Sequence, residues 1–288
     1  MQTTMNDLTF QILLVYLDDL LVYSRDFDEH LERLQVVFDR LREVGLKLNP
    51  KKCQLARSSV EYIGYTVSGS GISTSEGKIS SGRNWQTPRT LRELRSFLGF
   101  ANYYRRFVNG FAKLALPLNR LVSTTYQKGG EKKRRSKHVS IAQDLDAKCQ
   151  QSFQVLKEAL TTAPVLGYAD FSHPFILETD ASLDGLGAVL SQEQEGGRRV
   201  IAYASRSLRP AERRIQNYSS MKIEFLALKW AMCDKFRHYL LGAHTVVYTD
   251  NNPLSHLQTS KLGAVEQRWA AELACFEFTL KVQVSQGK

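Results

Sequence analysis

From Ile12 to Tyr23 apolar residues lie on both sides of Leu17-Asp18-Asp19, the pattern of two buried strands joined by a tight acidic turn. A helix is predicted next, because Leu31, Leu34, Val37, Phe38, Leu41 and Val44 recur at three and four residues before the stop signals Gly45 and Pro50. Val60 to Val67 alternates as a strand, and Ser68-Gly69-Ser70-Gly71 reads as the turn of a second hairpin. From Thr90 to Val108, Leu91, Leu94, Phe97, Leu98, Ala101, Tyr104 and Phe107 keep a helical period. Arg92, Arg95, Arg105 and Arg106 fall on the remaining surface, so a basic amphipathic helix is expected. Between Leu121 and Gln150 the periodicity collapses into a Lys-, Arg- and Gly-rich run, Gln127 to His138, with no apolar face to bury. A linker and a domain boundary are expected there.

A second pattern follows. Phe175 to Asp180, Gly185 to Leu190 and Arg199 to Ala204 predict an antiparallel meander. A helix is expected from Ser219-Ser220 through Met232, with Ile223, Leu226, Ala227 and Trp230 on one face. Val246 to Thr249 then reads as a strand, Val265 to Phe276 as a helix, and Phe278, Leu280 and Val282 alternate as a last strand. This order implies a mixed sheet with flanking helices packed on it, an α/β (α+β) fold.

Composition narrows the class. The 288 residues suffice for about two domains. With 43% hydrophobic and 24% charged residues, close to ordinary globular usage, the chain can bury real cores and need not be disordered. Lys plus Arg number 39 against 29 Asp plus Glu, and the resulting charge of +10 points to polyanionic partners, nucleic acid first. Cys53, Cys149, Cys233 and Cys275 form no CxxC pair and complete no zinc spacing with the six histidines, so reduced thiols in an intracellular compartment are expected. The N-terminus has no basic segment ahead of an apolar one, and Asp18 and Asp19 interrupt the run from Ile12 to Tyr23. Neither a signal peptide nor a membrane span is expected.

Two sets of carboxylates could carry chemistry. Adjacent Asp18 and Asp19 repel each other unless solvated or sharing a cation, so the tip is either a solvated acidic turn or a divalent-metal site. Asp180 and Asp250 end predicted strands and Glu224 lies on the inner part of a predicted helix, so the three can converge, although each alone is an ordinary surface acid. Glu178 shares the face of Asp180 by strand alternation and reads as a neighbour, not a ligand. Tyr103, Tyr104 and Trp269 could stack on bases, but their apolar-periodic positions favour core packing. Lys132-Lys133-Arg134-Arg135 suits a charged linker or a nuclear-import signal.

Tyr16-Leu17-Asp18-Asp19 is similar to the Y-x-D-D hairpin in the palm of reverse transcriptases. Tyr62-Ile63-Gly64-Tyr65 resembles the primer-grip hairpin of that family. Leu94 to Phe100, Asn102 to Phe107 and Ala115-Leu116-Pro117-Leu118 resemble the thumb of gypsy-class LTR retrotransposons. Phe153 to Leu166 and Pro174 to Gln194 resemble the connection and the start of the tethered ribonuclease H domain. The likeness covers nearly the whole chain outside Thr124 to Ala147.

The resemblance implies a partial palm over 1–84, a thumb-like region over 85–123, a basic insert over 124–147, a connection over 148–172 and a ribonuclease H-like domain over 173–288. It implies hydrolysis of the RNA strand of RNA–DNA hybrids by Asp180, Glu224 and Asp250 holding two Mg²⁺ (or Mn²⁺) ions, one activating water and one stabilising the leaving 3′ oxygen. Asp18 and Asp19 would be residual, metal-binding polymerase carboxylates. Tyr62, Gly64 and Tyr65 would contact template-primer, and Arg92, Arg95, Arg105 and Arg106 would contact phosphates. A further palm aspartate, the fingers and a fourth ribonuclease H acid are expected to lie outside this chain, which is read as truncated at both ends. Templated synthesis by the chain alone is therefore not expected, and cleavage is expected to be reduced or absent. The competing reading is a non-catalytic nucleic-acid-binding remnant. Other parts of the polyprotein are expected partners, no membrane is, and the compartment would be a cytoplasmic particle or the nucleus.

Overall fold

The computed structural model describes residues 3–135, 139–213, 220–249 and 263–282. The chain forms two compact units, Met1–Gly69 and Ser70–Lys288.

In the first unit β1 (Leu13–Tyr16) and β2 (Asp19–Val22) pair antiparallel, Tyr16 opposite Asp19, as the acidic-turn pattern predicts. Leu17 turns the chain at φ 53°. The strands are half-buried rather than buried, and Leu13 alone among them is fully enclosed. Helix α1 (Phe27–Glu43) starts earlier than its apolar period, because the Asp26 side chain accepts the Glu29 N–H at 2.9 Å and caps it. Met5, Leu13, Val37 and Leu41 make the small core, while the expected face residues Leu31 and Val44 are exposed. The strand expected over Val60 to Val67 is instead a hairpin, β3 (Ser59–Tyr62) and β4 (Tyr65–Ser68), with Tyr62 opposite Tyr65. Ile63 and Gly64 at φ 52° and 77° form the two-residue turn that matches the strand twist.

The second unit begins with β5 (Gly71–Thr74) and α2 (Glu76–Arg83). Ile72 and Leu166 exchange backbone hydrogen bonds at 2.9 and 2.8 Å. Helix α3 (Leu91–Tyr103) ends sooner than the expected Val108 and gives way to a 3₁₀ turn, Arg105–Phe107. Helix α4 (Phe111–Arg135) continues through Pro117 into the expected linker. Just beyond the basic run the chain is tied back. Leu91 N–H donates to the Val139 carbonyl and Ile141 N–H to that of Arg89, and Ile141 is fully buried. The insert is thus not where the chain divides; the division falls at Gly69/Ser70.

Helix α5 (Ala147–Thr161), capped by Asp146, buries Cys149, Phe153, Leu156 and Leu160 and packs on α4. Then come β6 (Phe175–Ala181), β7 (Gly185–Gln194) and β8 (Gly197–Ser207), followed by α6 (Ser220–Lys229). A π-turn, Trp230–Lys235, replaces the last turn of the helix expected to reach Met232. The remaining elements are α7 (Arg237–Leu240), β9 (Thr245–Thr249), α8 (Ala264–Leu273) and β10 (Phe278–Val282). The sheet order is β10-β9-β6-β7-β8, with β9 parallel to both β6 and β10 and the meander antiparallel. Its core joins Phe175, Leu177 and Val247 to Phe225 and Leu228 of α6 and Trp269 and Leu273 of α8.

Candidate carboxylate sites and nucleic-acid surface

Both aspartates of the β1–β2 tip are exposed. Tyr62, Gly64 and Tyr65 of the neighbouring hairpin are half-buried. Burial, and then the negative charge of Asp19, push the Tyr62 phenol above its ordinary pKa, so the two hairpins sense each other electrostatically. Two hard oxygen donors on a rigid turn suit a divalent cation. Among the described residues no group of three acidic, histidine or cysteine side chains forms a complete metal cage.

In the second unit Asp180 is exposed near the end of β6, opposite Gly187 of β7. Glu224 is 6% exposed on α6, which packs across β6. Asp250 lies outside the described residues. The fold thus joins the elements carrying Asp180 and Glu224. Glu178 is half-buried and engaged elsewhere, since its Oε2 meets Arg198 Nη2 at 2.6 Å while Arg198 Nε donates to Ser191 Oγ at 2.9 Å.

The four thumb-like arginines divide. Arg92 and Arg95 are exposed on α3. Arg105 departs from the expected surface role. It donates to the Ser205 carbonyl on β8 and, at 3.2 Å, to Asn102 Oδ1, and it lies over the Phe111 ring at 5.3 Å. Burial lowers its pKa below the ordinary guanidinium value. It therefore braces the 3₁₀ turn against β8. Arg106 is half-buried, and among the described residues its Nε makes no hydrogen bond. Lys235 and His238 were not among the residues expected to contact nucleic acid, yet their charges interact with Arg106. No local motif marks them, because the fold assembles that cluster from distant segments. Of the three aromatics, Tyr104 and Trp269 are buried as expected, whereas Tyr103 is 46% exposed on α3.

Two family models match the chain. A model described as reverse transcriptase (RNA-dependent DNA polymerase) matches residues 1–67, and one described as an RNase H-like domain found in reverse transcriptase matches residues 145–247. The retrovirus-related Pol polyprotein from transposon opus of Drosophila melanogaster is 37% identical over 96% of this chain and 27% of its own length. That from transposon gypsy of the same organism is 34% identical over 96% of this chain and 26% of its own. Along nearly its whole length the chain is thus similar to retrovirus-related Pol polyproteins, and segments of it match the reverse-transcriptase and RNase H-like family models. It spans about a quarter of the length of these Pol relatives.

The fold agrees. The foamy viral protease-reverse transcriptase in complex with dsDNA superposes on this chain with a TM-score of 0.78 at 25% identity, covering 100% of this chain and 58% of that one. The same enzyme in complex with RNA/DNA hybrid gives 0.76 at 23% identity, covering 100% and 37%. The reverse-transcriptase match ends at residue 67, beside the division between the compact units at Gly69/Ser70. Reverse transcriptases and ribonucleases H in general use divalent metals. No helix among the described residues is long and apolar enough to cross a membrane.

Proposed function

We propose that this chain hydrolyses the RNA strand of RNA–DNA hybrids in a divalent-metal-dependent reaction, and that its first unit carries a residual polymerase hairpin. The observation that carries the reading is the packing of α6, with Glu224, across β6, with Asp180, in a five-stranded mixed sheet. Both side chains offer only oxygen donors, one exposed at a strand end and one buried on the covering helix, a donor set that fits Mg²⁺ or Mn²⁺. Asp180, Glu224 and, by resemblance, Asp250 would hold the metal. When bound, such ions activate water and stabilise the leaving 3′ oxygen. Asp18 and Asp19 would hold metal at the polymerase hairpin beside Tyr62, Gly64 and Tyr65.

The remaining roles belong to the chain's own groups. Arg198 occupies Glu178 and limits its competition for the cation. Arg92 and Arg95, exposed on α3, hold the phosphate backbone without reading bases. Selectivity for the hybrid would come from helix shape and 2′-hydroxyls. The segments then read as palm (1–84), thumb (85–123), connection (148–172) and ribonuclease H-like domain (173–288), with the insert extending α4.

The test is cleavage of a labelled RNA–DNA hybrid by the purified chain with Mg²⁺ or Mn²⁺, beside Asp180→Asn. Weak cleavage by the wild type that Asp180→Asn abolishes is expected, because the fourth acid of such sites is not among the residues proposed to hold the metal. Absence of cleavage in both, with salt-sensitive hybrid binding retained, would favour the binding remnant instead.

A further inference from the structure

The apolar stripe of α1 has two unlike ends. Phe27, Leu31, Leu34, Phe38 and Leu41 follow one another at alternating spacings of four and three residues, which keeps them on one helix face. Leu41 is buried and Leu34 and Phe38 are half-buried, whereas Phe27 is 60% and Leu31 49% exposed. Beyond the helix the chain folds back. Gly45, at φ 68°, donates its N–H to the Arg42 carbonyl at 3.1 Å, and the Leu46 N–H donates to that of Leu41 at 2.9 Å, the paired bonds of a glycine-ended helix terminus. Leu46 and Leu48 are thereby brought beside the stripe, and with Phe38, Leu41 and Arg42 they line an open groove of about 410 Å³. The first end of α1 thus carries projecting apolar side chains, and the second an apolar groove.

The charges divide in the same way. Asp28 and Glu32, each next to a projecting residue, are exposed, and among the described residues neither enters an ion pair. At the groove end Arg42 and Lys47 are exposed, and Arg42 meets the exposed Asp39 at 2.7 Å, a surface pair of little strength. Positions 27 and 41, 28 and 42, and 31 and 38 are symmetric, within one residue, about the middle of the helix near Gln35. A two-fold axis through that midpoint sets the projecting residues of one copy on the groove of the other, and Asp28 of each against Arg42 of the other. We infer that this face of α1 docks a second copy of the chain as an antiparallel, self-complementary helix pair. Phe27 and Leu31 of each copy fill the groove of the other and bury apolar surface that the small core of Met5, Leu13, Val37 and Leu41 leaves in water. The opposed charges select this arrangement, since a parallel pair sets acid on acid and Arg42 on Arg42.

The experiment is sedimentation equilibrium of the full chain over a concentration series, without nucleic acid. The wild type is expected to show a monomer–dimer equilibrium. Leu31→Glu is expected to weaken it by about tenfold or more, because the substitution enters a two-fold interface twice. Circular dichroism of that variant, expected to match the wild type because Leu31 stands in water in the single copy, separates lost docking from lost fold. Asp28→Lys and Arg42→Glu are each expected to weaken association, and the double variant Asp28→Lys/Arg42→Glu to restore it, since the opposed charges are then exchanged rather than removed. A wild type that stays monomeric far above micromolar concentration overturns the docking surface, as does a dimer that Leu31→Glu leaves unchanged. A double variant as weak as either single one overturns the antiparallel arrangement. A dimer that forms only when an RNA–DNA hybrid is added, and that these substitutions leave in place, assigns association to the nucleic acid and likewise overturns the inference.

Discussion

Arg206 and Glu212 pair at 2.6 and 3.0 Å, and the Arg209 N–H donates to the same carboxylate at 2.7 Å. Burial alone would raise the Glu212 pKa, but these bonds outweigh it and hold the group below its ordinary 4.5. The folded pKa is the lower one. The pair's stabilisation is therefore present above the unfolded value and lost as pH falls through the folded value. In a pH series of thermal unfolding, Glu212→Gln should remove this acid-side loss. Arg206→Met, which leaves the carboxylate buried without its partner, should cost about 3 kcal/mol or more by denaturant unfolding. The turn at Ile63-Gly64 makes a second residue-scale prediction. Gly64 stands at φ 77°, so Gly64→Val should cost about 1–2 kcal/mol in stability, read from the unfolding midpoint. Ile63 also explains why this hairpin reads as one strand. A β-branched residue announces extended backbone, yet here it sits at φ 52°, a conformation that neighbouring strand pairing imposes.

Helix α3 was legible because its signals are local. Thr90 and Glu93 form a capping box, and Leu91, Leu94, Phe97 and Ala101 are the buried face. Thr90→Ala should lower stability by about 1 kcal/mol, measured by thermal or urea unfolding. Helix α4 was not predicted. Pro117 and the loss of apolar period after Leu121 argue for an end, yet the helix continues to Arg135. Its early turns are buried against α5, where Ser152 donates to the Leu114 carbonyl and Cys149 Sγ to that of Pro117 at 3.7 Å. These side chains occupy carbonyls around the proline break, and once nucleated a helix extends at little cost without an apolar face. The strands β6 to β10 followed the period-two pattern within a few residues, since burial on one face writes alternation directly into sequence.

Across the molecule, the two units differ in how much they bury. Among the described residues the first encloses only Met5, Leu13, Val37 and Leu41, while the second has the extended core of sheet, α6 and α8. Trp85, Trp230 and Trp269 all belong to the second unit. Leu41→Ala should therefore destabilise the first unit by about 2–5 kcal/mol, shifting part of the far-UV circular dichroism transition while the tryptophan fluorescence midpoint stays in place. Net charge acts at this scale too, and hybrid binding should weaken steeply as salt rises. The order of the strands β6 to β10 with α6 and α8 between them, the paired aspartates at a hairpin tip and Asp180 near a strand end were determined by the sequence alone, because they are written in local periodicity and short motifs. The parallel insertion of β9 between β6 and β10, the return of Ile141 to Arg89 and the burial of Arg105 were decided only by the tertiary structure. Each of these joins residues far apart in the chain. Such contacts depend on which faces pack together, and no local pattern encodes that choice.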